Sequence, residues 1–149
     1  MNDILEFRGP TRWLSNFHVE SFEWRGKEYM TSEHAYQAAK ACNDADHEYV
    51  RSASSPKEAM HRGRSIEQRA DWDDIRVHVM YSVLKAKFAP DKLLALRLVE
   101  TGECHLEEGN HHGDIFWGTV AGKGENYLGQ VLMSVRQELM NSGVGSDRQ

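Results

Sequence analysis

Three observations predict an α+β fold, predominantly helical, with a small amino-terminal β-hairpin. Two short extended runs, residues 19–24 and 27–30, flank Arg25-Gly26, the pattern of two strands joined by a tight turn. Beyond residue 30, helix caps and apolar residues at helical spacing dominate. The longest stretch with neither pattern, about 103–127, combines histidines, acids, glycines and a tryptophan. Long loops of that make-up in compact domains usually carry function.

Taken in order, residues 3–7 read as a short strand and 8–12 as a loop around Gly9-Pro10. Thr31 or Ser32 caps a helix running to about Cys42, with Ala35, Ala38, Ala39 and Cys42 on one stripe. Ser55-Pro56-Lys57-Glu58 is a capping box with proline at the first helical position, and Gly63 reads as the stop. From Asp71, the residues Trp72, Ile75, Val79, Val83 and Ala86 hold one face until Pro90 ends the run. Another helix covers about 91–100, and a short extended piece falls near 104–107. The last helix starts near Leu128, with Leu128, Val131, Leu132, Val135 and Leu139 inward.

The 149 residues suit one domain, expected over 1–142, with 143–149 a disordered tail. No apolar run approaches a membrane span, and the amino terminus lacks a signal-peptide pattern. With two cysteines, Cys42 and Cys104, neither a disulfide framework nor a four-cysteine zinc site can be built, so a reducing cytoplasm is the expected compartment. A net charge of −5 argues against a broad grip on nucleic acid. A small basic mouth is compatible with it: residues 51–69 carry Arg51, Lys57, Arg62, Arg64 and Arg69 against Glu58 and Glu67. That stretch reads either as a phosphate holder or as a solvated helix face.

Helical geometry puts Glu33, Gln37 and Lys40 on one face, opposite the alanine stripe, with Glu33 in the first turn where the helix dipole favours a carboxylate. The same spacing also describes an ordinary solvated face. Asp114 precedes Phe116-Trp117-Gly118, an arrangement suited to a sugar beside a planar base, and equally to a turn aspartate beside packed rings. Residues 122–129, containing Gly124 and Asn126, run into the last helix, where backbone N–H groups can converge on an anion; a plain loop-to-helix junction fits as well. Trp72 heads its apolar stripe, a core position with room for a stacking role. His111, His112 and Asp114 lack cysteines at ligand spacing, so no metal is expected.

These segments, taken together, resemble the NADAR (YbiA-like) proteins. The collinear match runs from Leu14-Ser15-Asn16-Phe17 through Thr31-Ser32-Glu33-His34 with Gln37 and Lys40, Ser55-Pro56, Gly63-Arg64, Asp71-Trp72 and Lys87-Phe88. It continues through Asp114 with Trp117-Gly118 to Gly124 with Asn126, Leu128 and Gly129. It covers about residues 7–140. Gly113 stands where many relatives have asparagine. The resemblance implies a compact helix-rich α+β domain and N-glycosidase activity on ribose bonded to an amine outside a base ring. It implies catalytic roles for Glu33, Asp114 and Trp72; Lys40, about two turns from Glu33 on the same face by helical geometry, is the lysine expected to serve a Schiff-base route. Asn16, Gln37, Arg64, Trp117, Gly118, Gly124 and Asn126 are the implied substrate-binding set. No cofactor is implied. Removal of ADP-ribose from guanine, with an ADP-ribosyltransferase toxin as a partner, is the leading expectation. Cleavage of aminopyrimidine ribose phosphates from riboflavin synthesis is the second, and a non-catalytic ADP-ribose or NAD-binding module the third.

Overall fold

The computed structural model describes residues 2–146. They gather into two compact units: one takes in the chain up to Ser15 and again from Phe88 onward, the other is Asn16–Lys87.

In the Asn16–Lys87 unit, β1 (Phe22–Trp24) and β2 (Lys27–Tyr29) pair antiparallel, with Phe22 opposite Tyr29. Arg25 and Gly26 both take positive φ, 51° and 80°. That backbone twist matches a two-residue hairpin, and glycine supplies it without strain. Phe22, Trp24 and Tyr29 point inward, and Trp24 Nε1 donates to Ser82 Oγ at 3.0 Å. Then follow α1 (Ser32–Ala38), α2 (Asp44–Arg51), α3 (Pro56–Ser65) and α4 (Trp72–Lys87).

Each cap satisfies an orphan donor of its helix. Thr31 accepts from His34 N–H, Asn43 from Asp46 N–H, and Ser55 from Glu58 N–H. Helix α1 ends four residues short of the expected Cys42. Gly63 is no stop. It lies inside α3, where a β-carbon would come 2.1 Å from Gln37 Oε1, so glycine there lets α3 close onto α1. Helix α2 has no counterpart in the sequence reading. Its apolar anchor is the buried Val50 alone.

In the other unit the expected strand at 3–7 and its partner near 104–107 reduce to an isolated parallel bridge, Ile4 with Leu106. It is held by Ile4 N–H to His105 O (2.9 Å) and Glu107 N–H to Ile4 O (2.8 Å). Residues Gly9–Leu14 form a 3₁₀ turn, not an open loop, and bury Trp13 and Leu14. Trp13 meets the edge of Phe88, and the Arg97 guanidinium lies 4.6 Å over its ring. Helices α5 (Leu93–Glu100) and α6 (Tyr127–Asn141) pack through Leu94, Leu98, Leu128, Val131, Leu132, Val135 and Leu139. Where a loose tail is expected, residues 143–146 instead fold into a turn, with Val144 N–H donating to Leu139 O at 3.0 Å. Residues 147–149 of that expected tail lie outside the described residues. Among the described residues no helix is long and apolar enough to cross a membrane.

Candidate active site

Helix α1 is buried on every side, including the face that carries Glu33 and Gln37. A solvated Glu–Gln–Lys face is therefore excluded for its first turns. Two elements hold this turn from outside. Asn16 accepts Glu33 N–H on its backbone oxygen (3.1 Å) and the Ser32 hydroxyl on its side-chain oxygen (2.8 Å). The buried His34 ring bonds to Thr31 Oγ1 at 2.7 Å and to the Ala53 carbonyl at 2.9 Å. A carbonyl only accepts, so Nε2 carries the proton and Nδ1 accepts from the threonine hydroxyl. Burial lowers the His34 pKa, in keeping with that neutral ring.

Glu33 is 8% exposed and receives a hydrogen bond from Gln37 Nε2 at 2.9 Å. Lys40 follows just past the end of α1, half-buried, its ammonium 5.8 Å from the Tyr36 ring centroid. Burial pushes the Lys40 pKa below the usual lysine range. The Glu33 carboxylate pulls it upward, and Arg64 and Arg76 push it down further. One carboxylate and three cationic side chains thus share one neighbourhood. Arg64 is exposed and makes no hydrogen bond or ion pair with the described residues. The rest of the basic stretch is largely committed elsewhere: Arg51 bonds to Glu48, Arg62 to Glu58, and Arg69 to Asp71.

Asn16 and Gln37, expected to meet substrate, each direct one polar group at α1: Asn16 Oδ1 accepts from Ser32 and Gln37 Nε2 donates to Glu33. Trp72 is 2% exposed, with its ring 5.1 Å from Tyr36, so its position is that of a packed core residue.

The 103–127 loop belongs to the other unit. Asp114 Oδ1 accepts from the N–H groups of Phe116 (3.1 Å) and Trp117 (2.9 Å), the turn-aspartate arrangement. Its Oδ2 has no hydrogen-bond partner among the described residues, and the side chain is half-exposed. Trp117 is half-buried and meets Phe116 edge-on, and Phe116 in turn lies 4.8 Å from Tyr127.

In residues 122–129, Glu125, Asn126, Tyr127 and Leu128 donate their N–H groups to the carbonyls of Ile115, Gly118, Phe116 and Trp117 at 2.8–3.2 Å. These four donors are engaged within the protein, as at a loop-to-helix junction. The glycines serve close packing of backbone. A β-carbon on Gly118 would fall 2.0 Å from Glu108 O, and one on Gly124 2.5 Å from Gly118 O. Asn126, at φ 51°, is a clamp: its Oδ1 accepts from Glu108 N–H (2.9 Å) and its Nδ2 donates to Leu106 O (3.0 Å). Asn126→Ala should therefore destabilise the protein by about 2–3 kcal/mol, because a buried donor and acceptor lose their partners. Chemical denaturation measures this.

Residues 6–140 match the NADAR domain family model. The chain belongs to the NADAR family. A riboflavin biosynthesis protein of Vibrio vulnificus, VVA0006, is 40% identical over 130 residues, 85% of this chain; the chain spans only 35% of that relative. N-glycosidase YbiA of Escherichia coli is 38% identical over 129 residues, covering 85% of this chain and 80% of YbiA. The NMR structure of E. coli YbiA matches at a TM-score of 0.85 and 32% identity, over 97% of this chain and 90% of that one. This NADAR chain thus has the mostly helical YbiA fold, with its two-stranded antiparallel sheet.

Proposed function

We propose that this chain is an N-glycosidase that hydrolyses the bond between ribose C1 and an exocyclic amine. The observation that carries the reading is Glu33: a nearly buried carboxylate, held by a donated hydrogen bond, acting on Lys40, which Arg64 and Arg76 also influence. Breaking a C–N bond at C1 builds positive charge on the sugar, which a fixed carboxylate stabilises, and water replaces the departing amine. The cations suit a phosphate on the same ribose. The first-ranked substrate is an aminopyrimidine ribose phosphate. The riboflavin-biosynthesis name of one relative supports it and reverses the order in which the sequence ranks the substrates. ADP-ribose on the amino group of guanine is the second reading, favoured by the same need for an exocyclic amine and an anion.

Lys40 supports a covalent variant. Ring opening yields an imine at C1, the neutral lysine adds to it, and the base leaves as its amine; water then hydrolyses the lysine imine. A lowered Lys40 pKa enlarges the neutral fraction near neutrality. In the test, each of three compounds is incubated with wild type and with Glu33→Gln: the aminopyrimidine ribose phosphate, an ADP-ribosylated guanine oligonucleotide, and NAD. Ribose phosphate should be released from the first by wild type. ADP-ribose released from the oligonucleotide alone moves the substrate to guanine; no release from any compound ends the glycosidase reading. Borohydride should trap a ribosyl adduct in wild type and none in Lys40→Ala. Active enzyme without a trapped adduct leaves direct hydrolysis as the route.

A further inference from the structure

We infer that Gln37, seated on Gly63, is a positioning residue that keeps Glu33 in its ionised form, so that Glu33 enters the reaction as carboxylate and not as the acid. The inference deepens the proposed function, since it assumes that Glu33 is the carboxylate that meets the sugar.

The amide of Gln37 has two unlike ends. Its Nε2 donates to Glu33 Oε1 at 2.9 Å. Its Oε1 is buried without a hydrogen-bond partner among the described residues. That oxygen lies against Gly63, on the side where any other residue would place a β-carbon 2.1 Å from it. An amide oxygen tolerates the C–H groups of a glycine α-carbon, which are weak donors. Turned over, the amide would set its oxygen against the Glu33 oxygen, which is tolerable only if Glu33 carries a proton to donate. In the orientation observed, Glu33 accepts from Nε2 whether ionised or protonated, and the bond to the ionised carboxylate is the stronger one. The contact with Gly63 fixes where the amide sits, and a donor fixed beside Glu33 favours its charged form.

Other charged groups act in the same direction or stand apart. Lys40, two residues beyond the end of α1, feels the Glu33 charge, and Arg64 on α3 and Arg76 on α4 act on that same lysine. His34 is bonded to Thr31 and Ala53, and His47 of α2 to Tyr29 of β2 at 2.7 Å.

The first readout needs no substrate. The Glu33 side-chain carboxyl is followed by carbon-13 NMR over pH in wild type and Gln37→Leu, beside the acid limb of kcat/KM. Loss of one hydrogen bond to an ionised group should raise both midpoints by about one to two pH units. In wild type alone, the Gln37 side-chain amide protons should shift in step with Glu33, which keeps the test independent of how the variant folds. Gly63→Ala, which drives the amide off its seat, should move the Glu33 midpoint upward too. A Glu33 titration unchanged in Gln37→Leu, or Gln37 amide protons indifferent to it, overturns the inference. A midpoint that rises in a protein cleaving none of the three compounds leaves this inference standing and removes the glycosidase reading; cleavage with an unmoved midpoint does the reverse.

Discussion

Glu33→Gln is expected to lower turnover of the cleaved N-glycoside by about 10²–10⁴-fold while leaving the fold in place. The replacement keeps the shape of the side chain and an oxygen for Gln37 Nε2, so the 2.9 Å bond within α1 can persist. The negative charge is what disappears, together with its power to stabilise a positive sugar or to activate water. A second effect separates the two chemical routes. Glu33 is the influence that raises the Lys40 pKa, against burial, Arg64 and Arg76. Without it the lysine is neutral over a wider range, so a covalent route retains its nucleophile. Borohydride trapping in Glu33→Gln should then still label Lys40 although turnover has collapsed. Stopped assays with purified variant, beside a thermal melt, measure both quantities. Wild-type turnover in this variant would remove Glu33 from the chemistry.

Gly129→Ala is expected to cost about 4 kcal/mol. A β-carbon at this position would fall 2.0 Å from the Leu106 carbonyl oxygen and 2.4 Å from Asn126 Nδ2. The first is backbone and cannot rotate aside. The second is half of the clamp that Asn126 applies to Leu106 and Glu108. The added methyl thus combines overpacking with loss of buried hydrogen bonds. For a chain of this size that corresponds to a fall in Tm of roughly 10 °C, readable by calorimetry. An alanine variant that melts with the wild type would show that α6 can slide off the 106–108 segment at little cost.

Much of the fold was legible where local chemistry decides it. Arg25-Gly26 fixes a hairpin within four residues, and Ser55-Pro56 with Glu58 announces α3 without help from elsewhere. Helix α2 was missed because Val50 alone anchors it, leaving no apolar stripe to count. The signals present were its cap, Asn43, and the acids Asp44 and Asp46 in its first turn. Gly63 was misread, and the glycines of 122–129 stayed open between two readings, for a shared reason. A missing side chain ends a helix, cradles an anion or admits a neighbouring backbone, and the choice rests with the neighbour. At Gly63 the neighbour is Gln37, and at Gly129 it is Leu106.

The candidate site shows the same division. Glu33 and Gln37 meet because four residues along a helix are adjacent, which spacing alone reveals. The service of Asn16 to that turn crosses sixteen positions of sequence, and no pattern announces it. The N–H groups of 125–128 meet the carbonyls of 115–118, a pairing set by tertiary contact that no local pattern announces.

Helix α1 has no outward side, since every residue from Ser32 to Ala38 is buried. Its genetics should therefore be blind to chemistry. In a saturation library, positions that merely fill space will be as intolerant as the one that meets the sugar, and alignments of relatives will freeze them alike. Only variants paired with a separate measure of folding can tell the two apart along this segment.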